Sequence, residues 1–83
     1  MNIKVLVVDD SPFMRKIITE TIASIDGLEV IGTARNGRDA LKAIPQLQPD
    51  VITLDIEMPG LNGLETLEII KKEHTTPVIM MSS

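Results

Sequence analysis

Two short apolar runs, each closed by aspartate, set the narrowest limits on how this chain folds. Ile3-Lys4-Val5-Leu6-Val7-Val8 runs into Asp9 and Asp10, and Val51-Ile52-Thr53-Leu54 runs into Asp55. Both are rich in β-branched residues and apolar almost throughout, as in strands buried on both faces of a parallel sheet. Strands of a parallel α/β sheet deliver their last residues to one edge, where ligands bind. The three carboxylates are therefore expected in one crevice, although Asp55 follows Asp10 by 45 positions. Acids gathered at such an edge hold a cation, share protons or repel.

The segments between these runs read as helices. Ser11-Pro12 offers a capping hydroxyl followed by proline at the first helical position. Phe13, Met14, Ile17, Ile18, Thr21, Ile22 and Ile25 then recur at helical spacing, with Arg15, Lys16 and Glu20 on the other face and Asp26-Gly27 as the stop. Leu28–Ala34 reads as a second strand, more polar and so near a sheet edge. Asn36-Gly37 opens a second helix that runs to about Leu47, with Pro45 in its last turn expected to end it. After Asp55 comes a turn-rich loop, Glu57–Gly63, whose glycines Gly60 and Gly63 can take positive φ. Leu64, Leu67 and Ile70 give the third helix a buried stripe, and Thr76-Pro77 introduces a fourth strand, Val78–Met81. Alternating strands and helices with short connections imply right-handed crossovers. The expected fold is a flavodoxin-like α/β parallel sheet of order 2-1-3-4 with three helices.

Composition narrows the function. The chain has 83 residues and a net charge of −4, with one Phe, no Trp, Tyr or Cys. That is at most one domain, and a chain this short buries only roughly 60–65% of its unfolded surface. Thiolate metal sites are excluded, and the scattered basic residues argue against nucleic acid as a partner. No apolar run approaches membrane-spanning length, so a cytoplasmic protein without membrane association is expected.

An acid before a helix can simply favour the positive end of its dipole. Two consecutive acids facing a third on another strand are harder to explain without a ligand. Every candidate donor is oxygen, with no His or Cys near in sequence, which favours Mg²⁺ over zinc. A carboxylate beside Mg²⁺ can attack phosphorus, and Asp55, alone at its strand end, suits that role. Ser82 ends the fourth strand on the same edge, where a hydroxyl could reach a phosphoryl oxygen. His74 stands in a polar connection and reads as solvated, and there is no phosphate-binding glycine loop.

Three stretches carry a family resemblance: LVVDDSPFMRKII (Leu6–Ile18), PDVITLDIEMPGLNGLETL (Pro49–Leu67) and PVIMMSS (Pro77–Ser83). Together they resemble the receiver domain of bacterial two-component response regulators. Within that family VIGTARNGRDAL (Val30–Leu41), the Glu57-Met58-Pro59 variant and the Ser82-Ser83 ending are similar to the chemotaxis protein-glutamate methylesterases. The resemblance implies that Asp55 is the phosphoacceptor for a histidine kinase. It implies that Asp10 binds Mg²⁺ directly, that Asp9 helps indirectly, and that the backbone carbonyl of Glu57 completes the metal shell. Ser82 matches the hydroxyl that turns towards the phosphoryl group.

The family pattern continues through a fourth helix, a fifth strand and a fifth helix, with a lysine that pairs with the phosphoryl group. This sequence runs to Ser83, so residues 1–83 are expected to form a partial receiver without the lysine or the methylesterase effector domain that would be its partner. Lys71 and Lys72, on the third helix, do not match that lysine. The chain itself is then not an enzyme. Two alternatives stand beside the phosphoacceptor: a binding or assembly fragment with an inactive pocket, and an aspartate-based phosphohydrolase using Glu57 as its second acid. Val78–Met81 would form an apolar edge, and one sheet face would keep a single helix, so association between copies through that edge is expected.

Overall fold

The computed structural model describes residues 2–58 and 60–81. In chain order the elements are β1 (Ile3–Val8), α1 (Pro12–Ala23), β2 (Leu28–Ala34), α2 (Gly37–Leu47), β3 (Val51–Asp55), α3 (Gly63–Glu73) and β4 (Val78–Met81). The strands form one parallel sheet of order β2-β1-β3-β4, the flavodoxin-like arrangement expected, with β2 at an edge. β1 and β3 are central, which is why Val5–Val8, Ile52 and Leu54 are almost completely buried.

Side-chain alternation divides the core into two layers. Leu6 and Val8 of β1, with Ile52 and Leu54 of β3, point to the side of α2 and α3, where Ala40, Ile44 and Ile70 meet them. Val5 and Val7 point the other way, towards Ile18 of α1. The same parity carries Asp9 and Asp55, the next odd positions, to the α1 side of the sheet edge. α1 lies over β2 and β1. On that face Val51, Thr53, Ile79 and Met81 border an open apolar groove beside α1.

Local chemistry fixes the helix ends. Ser11 caps α1, its hydroxyl accepting from the Met14 N–H at 3.3 Å, with Pro12 at the start. α1 stops at Ala23 rather than reaching Ile25: the chain tightens there, the Ile25 N–H donating to Ile22 O three residues back, while the Ser24 hydroxyl donates to Thr21 O. Gly27 makes the following turn at φ 90°, and its carbonyl accepts from Ile3 N at 2.7 Å. Phe13 and Ile25, expected on the buried face, are 70% and 48% exposed.

α2 continues two residues past Pro45, and the stop falls at Gln48, whose φ of 50° is left-handed. Leu47 lies over Gly32, where an added Cβ would approach its Cδ1 to 2.6 Å. That contact holds the last turn down despite the proline. On α3 the buried stripe is Gly63, Thr66 and Ile70, with Leu67 half-buried, and Leu64 is 57% exposed. Thr66 tolerates burial because its hydroxyl donates to Asn62 O at 2.8 Å.

Asn62 and Glu65 form a reciprocal capping box at the start of α3. Asn62→Ala is expected to cost about 1 kcal/mol. For a domain of this size that lowers Tm by roughly 4–8 °C, readable by circular dichroism.

Candidate functional site

The site grows out of the ends of β1 and β3. Asp9 leaves β1 with its N–H still bonded to Ala34 O at 3.1 Å. Its Oδ1 accepts from the Ser11 N–H at 2.9 Å, which closes a turn directly into α1. Its carbonyl accepts from Arg15 Nη1 at 2.8 Å. Asp9 is thus held at both ends, and only 7% of it is exposed. Asp10, the next residue, is exposed.

Asp55 closes β3 and is 9% exposed. Its Oδ1 accepts from the Glu57 N–H at 3.0 Å, so the chain folds back over the carboxylate. Ile56 N donates to Met81 O at 3.0 Å and ties this turn to β4. One carboxylate oxygen from each of Asp9, Asp10 and Asp55 lies within 4.8 Å of the others. They line a cleft of about 240 Å³ with Glu57, closed on its apolar side by Met14, Ile18 and Met81.

Among the described residues no cationic group compensates the charge in this cleft. Burial pushes the Asp55 carboxyl above its ordinary value, against the opposing effect of the Glu57 N–H. The charges of Asp9 and Asp10 push it further in the same direction. Arg15 touches a backbone carbonyl and no carboxylate of the cluster. The ion pair found among the described residues, Arg35 with Asp39 at 3.6 Å, lies elsewhere. Three hard oxygen donors with surplus negative charge fit a small divalent cation that keeps part of its water shell. The described lining of the cleft holds no thiolate or imidazole for a softer metal.

Asp9, Asp10, Asp55 and Glu57 therefore come together as expected from sequence. Ser82 lies outside the described residues; its neighbour Met81 lines the cleft. Lys71, Lys72 and His74 are far along the chain fold, around a separate surface groove at the end of α3. The sequence reading missed Arg15, assigned to the outer face of α1. Its position in the first turn, just after an acidic pair, was the available signal.

This fold and cleft are those of a response regulator receiver. Residues 5–83 match the response regulator receiver domain family, and the chain belongs to it. Its relatives include protein-glutamate methylesterase/protein-glutamine glutaminases. The one from Geobacillus kaustophilus (strain HTA426) is 63% identical over 82 residues, which are 99% of this chain and 24% of that protein. The one from Bacillus subtilis (strain 168) is 59% identical over 81 residues, 98% of this chain and 23% of that protein. The crystal structure of the response regulator domain of Thermotoga maritima CheB superimposes with a TM-score of 0.95 at 51% identity. The match covers 100% of this chain and 62% of that one. The chain thus spans about a quarter of the length of these methylesterase relatives.

Proposed function

We propose that Asp55 accepts a phosphoryl group from a histidine kinase, with Mg²⁺ held by Asp10, Asp55 and the Glu57 backbone carbonyl and supported by Asp9. The observation that carries this reading is the approach of three carboxylate oxygens to within 4.8 Å at the ends of adjacent strands. An Asp55 carboxylate oxygen attacks phosphorus, and a P–O bond forms as the P–N bond to the kinase histidine breaks. The departing imidazole nitrogen keeps the electron pair. When bound, Mg²⁺ supplies positive charge to the phosphoryl oxygens. The Glu57 N–H, 3.0 Å from Asp55 Oδ1, orients the nucleophile. Ser82 is assigned to the phosphoryl oxygens on the family pattern.

By likeness to its relatives, the chain is read as the partial receiver (residues 1–83) of a cytoplasmic chemotaxis methylesterase, its phosphorylation governing an effector domain in the same protein. Within the described residues no helix is long and apolar enough to cross a membrane. The test is incubation with a small phosphodonor and Mg²⁺, followed by intact-mass and peptide mapping. One phosphoryl group on Asp55, removed by hydroxylamine as an acyl phosphate, is expected. No label would favour a binding module, and sustained release of phosphate would favour a hydrolase. Asp10→Ala is expected to weaken Mg²⁺ binding at least roughly tenfold in a calorimetric titration.

Copies of the chain are further expected to associate through β4. Ile52 N and Ile56 N bond to Pro77 O and Met81 O, so alternate residues face β3 and the backbone groups of Val78 and Met80 point outward. Such an edge templates another strand. Sedimentation should show mass rising with concentration. A monodisperse monomer with a sharp, concentration-independent melting transition would contradict this.

A further inference from the structure

We propose that Gly63 is a positioning residue for the acidic cleft: its missing side chain lets α3 seat directly on the backbone of Asp55 and Ile56. This inference rests on the reading of the cleft as a cation site. Gly63 begins α3, and its N–H donates to Ile56 O at 3.1 Å, which closes the loop after β3 onto its own start. A Cβ added there would collide with the carbonyl oxygen of Asp55 and lie 2.6 Å from Ile56 Cα and 2.9 Å from Asp55 C. All three atoms are backbone, so no side chain can rotate away. Something must move by on the order of 1 Å to restore ordinary contact distances.

α3 is the better anchored of the two partners. α3 is fixed by its capping box, by the complete burial of Thr66 and Ile70, and by the close fit of Thr66 against Gly37. Retreat of α3 would open the core. The other side of the collision is the last residue of β3 and the turn after it, held there by the Ile56 N–H to Met81 O bond. Displacement therefore falls on Asp55, Ile56 and Glu57, the segment that brings the Asp55 carboxylate and the Glu57 peptide to the cleft.

Gly60, in the same loop, provides the control. Its φ is 73°, and nothing lies within 4 Å of an added Cβ. A side chain there strains the backbone without pressing on the cleft. Gly63 has no positive φ among the described glycines, so its requirement is space alone. Gly60→Ala should lower stability and leave the cation site intact, whereas Gly63→Ala should disturb the site itself.

The experiment records backbone amide NMR spectra of wild type, Gly63→Ala and Gly60→Ala, first without cation and then through a Mg²⁺ titration. Without cation, Gly63→Ala is expected to shift the amides of Asp55, Ile56 and Glu57 well beyond their shifts in Gly60→Ala. With Mg²⁺, Gly63→Ala is expected to bind roughly 10–100-fold more weakly than wild type, the range for residues that support metal ligands. Gly60→Ala should stay within about twofold of wild type, far below the effect of a supporting residue. If Gly63→Ala is unfolded in buffer, all three proteins are compared in an excluded osmolyte that restores compact states. Unchanged amides at 55–57 together with wild-type affinity in Gly63→Ala would overturn the inference. A wild-type chain that binds no Mg²⁺ at the cleft would instead overturn the cation reading, while the cation-free spectra still decide whether Gly63 positions Asp55.

Discussion

Asp55→Asn is expected to raise the Tm of the cation-free protein while cutting phosphoryl acceptance at least roughly 100-fold. Both effects come from one carboxylate. Asp55 is nearly buried, faces Asp9 and Asp10 within 4.8 Å, and has its carboxyl pushed above the ordinary value chiefly by burial. A raised folded value means that the native state binds more protons than the unfolded chain in the interval between the two values. Its contribution to stability is complete below the unfolded value and is lost as pH rises through the folded one. At neutral pH the charged group therefore opposes folding, and the neutral amide relieves it. The Tm advantage of Asp55→Asn should accordingly grow as pH rises through this interval and vanish at lower pH. Saturating Mg²⁺ should reverse the order. Wild type gains about 2.7 kcal/mol at a concentration 100 times Kd, and the variant loses most of that gain. Scanning calorimetry at several pH values, with and without Mg²⁺, reads all of this.

Ile52→Ala is expected to destabilise the fold by about 3–5 kcal/mol. Ile52 is completely buried on β3, packed between β1, β4 and the helices α2 and α3. Truncation there removes apolar contacts and leaves a cavity that two flanking strands cannot close. A domain of this size is stable by only about 4–12 kcal/mol, so the variant should melt at least roughly 15 °C lower. Ile79, one strand away, is 55% exposed on the face that α1 leaves bare. Ile79→Ala should cost less than about 1 kcal/mol and reduce self-association. Urea titration of the two variants side by side separates burial from mere hydrophobicity. Equal losses would mean that the open face is covered in solution.

The central strands were legible because burial on both faces leaves no choice of residue: Val5 to Val8 are apolar and at most 2% exposed. Parallel strands end together, which placed Asp9 and Asp55 at one edge, whereas the alternation that also sets them on one face emerges in the structure. Helix faces were less legible. Leu64 follows Gly63 by one residue, about 100° around the helix, and hydrophobicity favoured the leucine. The buried stripe instead follows Gly63 and Thr66, because α3 packs closely where it meets Gly37 and the end of β3. Phe13 and Ile25 matched a helical period, but Phe13 sits in the first turn of α1 and Ile25 two residues past its end, and neither is pressed onto the sheet. Gly60 and Gly63 can both take positive φ by residue type, but of the two Gly60 does so, and the need at Gly63 is steric. Sequence reports torsion through residue type, but close approach depends on a partner some positions away. Arg15 was hidden for the same reason, since its partner is a backbone carbonyl.

The claim that carboxylates from two strand ends form one cation-assisted phosphoryl site is tested most directly by titrating the wild-type chain with Mg²⁺ under amide NMR. Perturbations should be confined to Asp9, Asp10, Asp55, Ile56 and Glu57, fit one saturating site, and disappear in Asp55→Asn. Weak, non-saturating shifts spread over exposed acids such as Glu20, Glu29 and Glu73, unchanged by Asp55→Asn, would contradict it.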